Sequence, residues 1–241
     1  MSPLLEVRAL RYVYPDGHEA LRGVSLSLGA GERVALVGAN GSGKSTLLLH
    51  LAGALPAPEN GVFLHGGPAG PERLRKSVGL IFQEPDDQLL MPQVLEDVAF
   101  GLVARGVPAK EARTRARAVL ESLGAGRLAE RPPHRLSGGE KRLAALAGIL
   151  VMEPEVLVLD EPTAALDPRA RRRVIELLRS MERETAVLLA THDLDMALDT
   201  CARAVILHEG RVAAEGALPG LFRDAELLER VGLELPLRYA R

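Results

Sequence analysis

Residues 38 to 46, GANGSGKST, place three glycines ahead of a lysine and two hydroxyls. The stretch satisfies G-x-x-x-x-G-K-[ST] at Gly38, Gly43, Lys44 and Ser45. In such a loop the backbone amides converge on phosphate oxygens, Lys44 adds a point charge near the outer phosphates, and the Ser45 hydroxyl can ligate magnesium. Asn40, Gly41, Ser42 and Thr46 complete the cradle. Much later, VLVLDEP at 156 to 162 is an apolar run ending in two carboxylates. Asp160 is placed to hold magnesium through water. Glu161 follows at once and points to the other side, since successive strand side chains alternate, which frees it to polarise an attacking water as a general base. A third stretch, HRLSGGEKRLAALAG at 134 to 148, sets Ser137, Gly138 and Gly139 directly before a helical pattern, which is how a second anion-binding helix start is written.

The elements around these residues are those the motifs require. LLEVRALRYVY, GVSLSL and RVALVG read as strands, and RVALVG is continuously apolar, as a strand buried on both faces would be. It runs into the first glycine loop and then into a helix, KSTLLLHLAGAL. GVFLHG and SVGLIFQ read as a further strand pair. From about 85 to 150 the pattern turns helical, with breaks at Pro108, Gly124 and RPPH. Parallel-sheet grammar then resumes with EVLVLDEP, the helix DPRARRRVIELLRSMER, the strand AVLLATHD, the helix LDMALDTC and a closing hairpin, RAVILHEGRVAAEG. The expected organisation is an α/β core of 1–84 and 151–217, a helical subdomain of 85–150 inserted into it, and a short tail at 218–241.

Composition narrows the classes. Thirty basic side chains against 32 acidic ones leave a net charge of −2, so no global pull toward nucleic acid is present. Cys201 is the single cysteine, which excludes an internal disulfide and a cysteine-clustered zinc site and fits a reducing compartment. No stretch reads as a signal peptide or a membrane span: AVLLA at 186 to 190 is far shorter than the ~20 residues a span needs.

Taken together, GANGSGKST, Gln83 closing a strand, LSGGE, VLVLDEP, AALD at 164 to 167 and His192 after AVLLAT resemble, in order and spacing, the ATPase subunit of ABC transporters. The resemblance covers nearly the whole chain. It implies a P-loop NTPase fold of the RecA-like kind: a mixed sheet core, an N-terminal antiparallel β-subdomain and an inserted α-helical subdomain. It implies ATP and Mg2+ as ligands, with Ser45, Gln83 and Asp160 on the magnesium. Tyr14 matches the aromatic that stacks on adenine, with Tyr12 as its competitor. Gln83 matches the glutamine that contacts magnesium or the lytic water, and His192 the histidine that reaches the γ-phosphate. Glu161 is the matching general base. Ser137, Gly138, Gly139 and Asp167 match residues that serve the site of a second subunit. Asp167 is also the natural N-cap of the helix beginning at Pro168.

FQEPDDQLLMPQVLEDVAFGL at 82 to 102 and LSGGEKR followed by LAALAGIL are similar to energy-coupling-factor and cobalt-type importers. That group implies uptake of cobalt, nickel or a water-soluble vitamin. The implied partners are a second ATPase subunit, identical or related, and integral membrane transport subunits, with no nucleic acid. The implied location is peripheral, on the cytoplasmic face of the membrane. Glu140 in place of the commoner glutamine, Leu143 in place of arginine and Glu84 in place of asparagine depart from the pattern. Two other classes use part of the same motifs. A DNA-repair or chromosome-associated ATPase would share the closing dimer, but the near-neutral charge and absent heptad arms argue against it. A small-molecule P-loop kinase would leave LSGGE and His192 without work.

Overall fold

The computed structural model describes residues 2–57, 61–82, 84, 88–164, 166–181 and 184–239. The chain forms two compact units: Met1–Leu80 with Glu155–Glu161 and Glu182–Arg241, and Ile81–Pro154 with Pro162–Met181.

The first unit holds two sheets. β1 (Leu5–Val13) and β2 (Glu19–Leu28) pair antiparallel, and β4 (Val62–Leu64) and β5 (Gly67–Pro68) extend them in the order β2-β1-β4-β5. The second sheet runs β10-β9-β3-β8-β7-β6, from β3 (Arg33–Val37), β6 (Val78–Ile81), β7 (Val156–Asp160), β8 (Ala186–Thr191), β9 (Arg203–His208) and β10 (Arg211–Ala217). β3 is parallel to β8 and β9, β7 is parallel to β8, and β9 turns back antiparallel onto β10. Helix α1 (Lys44–Leu51) follows β3. It stops at Ala52, ahead of Gly53 at φ +68, where an added Cβ would stand 2.5 Å from the Pro71 carbonyl oxygen; the chain turns there rather than continuing the helix to Leu55. A short helix, α2 (Pro71–Ser77), precedes β6 and had no periodic signal in PERLRKS.

Alternation along the central strands explains their unbroken apolar sequence. Val34 and Leu36 of β3 pack with Leu47, Leu48 and Leu51 of α1, Val158, Leu188 and Leu207. Ala35 and Val37 face the opposite way, into a second core with Leu194, Ala197, Ile206, Leu218, Phe222, Leu227 and Val231. Much of that second core comes from the stretch expected as a tail. Helix α8 (Leu218–Leu221) and helix α9 (Ala225–Arg230) place Phe222 and Leu228 in full burial, and Arg238 bonds Asp195 and Asp199 of helix α7 (Leu194–Thr200). The segment therefore covers one face of the parallel sheet, whose apolar side chains would otherwise meet water.

The second unit is helical. α3 (Val94–Ala104), α4 (Ala109–Ser122) and α5 (Gly138–Leu150) bury Val94, Val98, Leu102, Ala112, Ala116, Leu120, Leu143 and Ala147 against one another. Leu143 is part of this core, which accounts for an apolar residue at that place. Helix α6 (Pro168–Ser180) groups with this unit rather than with the sheet domain. Its buried stripe is only Val174, Ile175 and Leu178, and Ala170 lies against Gly139 at the start of α5.

Candidate active site

Parallel register gathers the chemistry of the first unit at one edge of the sheet. Val37 pairs with Thr191, and Asp160 with Ala190. Gly38, Asp160 and His192 therefore leave the carboxyl ends of neighbouring strands, where open α/β sheets bind ligands.

The glycine loop can be built only from glycine at two points. A Cβ at Gly38 would stand 2.2 Å from the Leu207 carbonyl oxygen, and one at Gly43 would stand 2.6 Å from that of Ala20, at φ +105. Gly43 caps α1 without a side-chain bond, so the first-turn amides remain for an anion. Lys44 is 7% exposed and donates from Nζ to the carbonyls of Gly38 (2.8 Å) and Ala39 (3.1 Å). Burial pulls its pKa below the ordinary lysine value, while the carboxylates of Glu161 and Asp160 pull it back. The Ser42 hydroxyl oxygen is buried with no partner among the described residues. Ser45 and Asn40 are exposed, and Thr46 is buried. A narrow cradle, an orphaned hydroxyl, free helix amides and a lysine held on carbonyls suit a polyphosphate. The hard oxygens of Ser45 and Asp160 suit magnesium.

Tyr14 stands in the turn between β1 and β2, and its hydroxyl lies 3.0 Å from Thr46 Oγ1. Its ring stacks on His18 at 6.4 Å. Tyr12 instead sets its edge against buried His50 at 4.6 Å, a core role.

Asp160 ends β7 and is 8% exposed. Glu161 is not a continuation of the strand. It sits at φ +45, so strand alternation does not set its direction, contrary to the sequence expectation. Its backbone N–H donates to the Ala190 carbonyl (2.9 Å), and its carboxylate is fixed by Thr191 Oγ1 (3.0 Å), the His192 amide (2.8 Å) and His192 Nδ1 (2.7 Å). Nδ1 is the donor to an ionised carboxylate. Thr191 had no motif to single it out; its only signal is its place next to His192. Glu161 and His192 are thus one hydrogen-bonded pair, with the Glu161 side chain 9% exposed and the imidazole 65% exposed.

Ser137, Gly138, Gly139 and Asp167 all belong to the second unit. Ser137 caps α5 in a capping box: Glu140 N donates to its Oγ (3.3 Å), and Glu140 Oε2 accepts from Ser137 N (3.0 Å). Ser137 and Gly138 are exposed. Asp167 caps α6, accepting from Arg169 N (2.8 Å) and Ala170 N (2.9 Å). The Ala170 and Arg169 amides, in that order, hold its carboxyl below the usual range. Gln83 lies outside the described residues, and Glu84 is exposed. Among the described residues no group of three or more His, Cys, Asp or Glu could hold a metal by itself, and no helix is long and apolar enough to cross a membrane.

The model of the ABC transporter family matches residues 21–164. The energy-coupling factor transporter ATP-binding protein EcfA of Methanothermobacter thermautotrophicus is 44% identical over 97% of this chain and 77% of its own length. Among solved structures, CbiO1 of Clostridium perfringens, part of the ABC transporter complex CbiONQ, superposes with a TM-score of 0.83 at 38% identity, covering 96% of this chain and 95% of that one. A dimeric ATP-binding cassette in a post-hydrolysis state with ADP and Pi superposes at 0.78 and 28% identity, covering 89% and 98%. With the family model spanning more than half its length and these relatives nearly all of it, the chain belongs to the ABC transporter family as an ATP-binding subunit, an ATPase.

Proposed function

We propose that the chain powers uptake of a transition metal ion of the cobalt or nickel kind, or of a water-soluble vitamin, through membrane partner subunits. The observation that carries the reading is the division of the site: Lys44, Asp160, Glu161 and His192 belong to one unit, and the exposed cradle of Ser137 and Gly138 to the other. A subunit with one phosphate loop of its own has use for a second cradle when two subunits close head to tail around two ATPs. The dimeric cassette with ADP and Pi supports that arrangement. The importer reading is supported by EPDDQL and by the likeness to EcfA and CbiO1.

In this mechanism Lys44 leaves the Gly38 and Ala39 carbonyls for the outer phosphates, and the α1 amides hold the rest of the chain of phosphates. Ser45 and Asp160, with Gln83 as the family resemblance implies, would hold Mg2+, which would supply neutralisation of the phosphate charge. Glu161 takes a proton from the attacking water, and His192, tethered to it through Nδ1, turns Nε2 outward toward the γ-phosphate. Ser137, Gly138, Gly139 and Asp167 complete the partner's site. Docking to a membrane subunit is supported by the second unit's exposed apolar side chains. Phe100 and Val103 lie one turn apart on α3, and Asp97 accepts from the Leu90 and Met91 amides, which fixes exposed Leu90 beside that helix. The subunit would then sit peripherally on the cytoplasmic face.

Co-expression with candidate membrane subunits, followed by reconstitution in vesicles, tests the reading. ATP-dependent accumulation of Co2+, Ni2+ or a vitamin is expected. Hydrolysis that responds to DNA and to no membrane subunit would overturn it. Within the same preparation, Tyr14→Ala should weaken ATP binding by about tenfold, the share of a stacked base at roughly 1–3 kcal/mol. Tyr14→Phe, which loses only the bond to Thr46, should retain most affinity. Equal losses in an ATP titration would move the adenine platform elsewhere.

A further inference from the structure

Glu140 is a carboxylate built into a phosphate cradle. Its Oε2 accepts from both Ser137 N (3.0 Å) and Ser137 Oγ (3.2 Å), so the serine donors are turned onto an anion. A glutamine would serve the capping box through its carbonyl oxygen and bring no charge. A negative group at this point repels an incoming phosphate and opposes the positive end of the 13-residue helix α5. Two arginines meet it. Arg127 Nη1 donates to Glu140 Oε1 at 2.7 Å, and Arg131 Nη1 reaches the same oxygen at 3.3 Å. Arg131 also donates from Nη2 to the Arg135 carbonyl (2.7 Å), two residues before Ser137, tying the approach of the loop to the same charge cluster. The Glu140 side chain is 17% exposed, against 61% for Arg127 and 40% for Arg131, so the carboxylate is partly withdrawn from water while its counter-charges are not.

From this arrangement we propose that Arg127 and Arg131 are positioning residues for hydrolysis: by offsetting the Glu140 charge they make the Ser137 cradle acceptable to the terminal phosphate held by a partner subunit. The inference rests on the assignment of that cradle to a partner's site. Two positive charges against one leave the helix start net positive. Without them the phosphate approaches an uncompensated carboxylate at a partly buried point, where screening is weaker than in bulk water.

The test is a charge rescue on the full chain, in its complex where the complex is needed for turnover. Arg127→Ala with Arg131→Ala should lower ATP hydrolysis roughly tenfold, a barrier change of about 1.4 kcal/mol, with ATP binding by the monomer and the thermal midpoint little changed. Adding Glu140→Gln to the double variant should restore most of the loss, because the arginines then have no charge to offset. Raising ionic strength should shrink the deficit of the double variant, which a purely architectural role would not do. No loss in the double variant, or a loss that Glu140→Gln leaves in place, overturns the inference. Gly138→Asp in parallel separates it from the broader reading. If that variant loses hydrolysis while the arginine variant does not, only the arginine role fails; if it hydrolyses normally, the cradle has no partner phosphate to serve and both fail.

Discussion

Glu161→Gln is expected to bind ATP as the parent does and to lose hydrolysis by roughly 10²–10⁴-fold, the usual share of a positioned general base. The local geometry makes this a clean substitution. Glu161 Oε1 accepts from the His192 amide and Nδ1, and a glutamine carbonyl can do the same. Oε2 accepts from Thr191 Oγ1, and the glutamine amide can instead donate to that hydroxyl. The pair with His192 and the left-handed backbone at φ +45 therefore have no cause to rearrange; what disappears is proton affinity. Nucleotide titration together with single-turnover hydrolysis gives both quantities. Turnover at the parent rate would remove Glu161 as the base, and loss of ATP binding would mean that its carboxylate is needed to hold the loop rather than to move a proton.

The second large effect is at Gly138. A Cβ added there meets no atom within 4 Å, so Gly138→Asp leaves the monomer fold, its thermal midpoint and its ATP affinity near the parent values. Hydrolysis should nonetheless fall by at least about a hundredfold, because the free space over the start of α5 is where a partner's phosphate would sit and the new side chain brings both bulk and negative charge. Gly139 is the contrasting control: its Cβ would come within 2.7 Å of the Ala170 Cβ, so Gly139→Ala strains the packing of α5 on α6 and should lower stability as well as activity. ATP binding by monomer, melting temperature and dimer-dependent turnover, measured side by side, separate the two. A Gly138→Asp variant that cannot bind ATP would return the stretch to its own subunit's site.

What could be read in the sequence was whatever is contiguous along the chain. The glycine loop is legible because phosphate binding by backbone amides needs glycines at fixed spacing and little else. The five residues of β3 announced burial on both faces by having no polar member after Arg33. Ser137 and Asp167 declared themselves as caps, since a cap and its helix are neighbours in sequence.

What stayed hidden depends on residues far apart or on local backbone that composition does not encode. PERLRKS is too short for helical periodicity, so α2 gave no signal. Helix α6 follows Asp160 and Glu161 in the chain but groups with the helical unit, where Ala170 lies against Gly139 at the start of α5. The stretch from 218 looks like a tail until Phe222 and Leu228 are found covering the sheet. Likewise, Glu140 is only a departure from a pattern until Arg127 and Arg131 are seen on its oxygen.

The amino-acid sequence by itself determined the chemistry available to this protein: a polyphosphate cradle, two carboxylates at a strand end, a histidine at another, and a serine-glycine helix start, all set by residue type and spacing. Only the tertiary structure decided how they meet. Parallel pairing of Asp160 with Ala190 brings Glu161 against residues thirty places later, and a left-handed turn at Glu161, not strand alternation, aims its carboxylate at Thr191 and His192. Register between strands is a three-dimensional quantity, so the sequence could supply the carboxylate and the histidine but not the hydrogen bond that joins them.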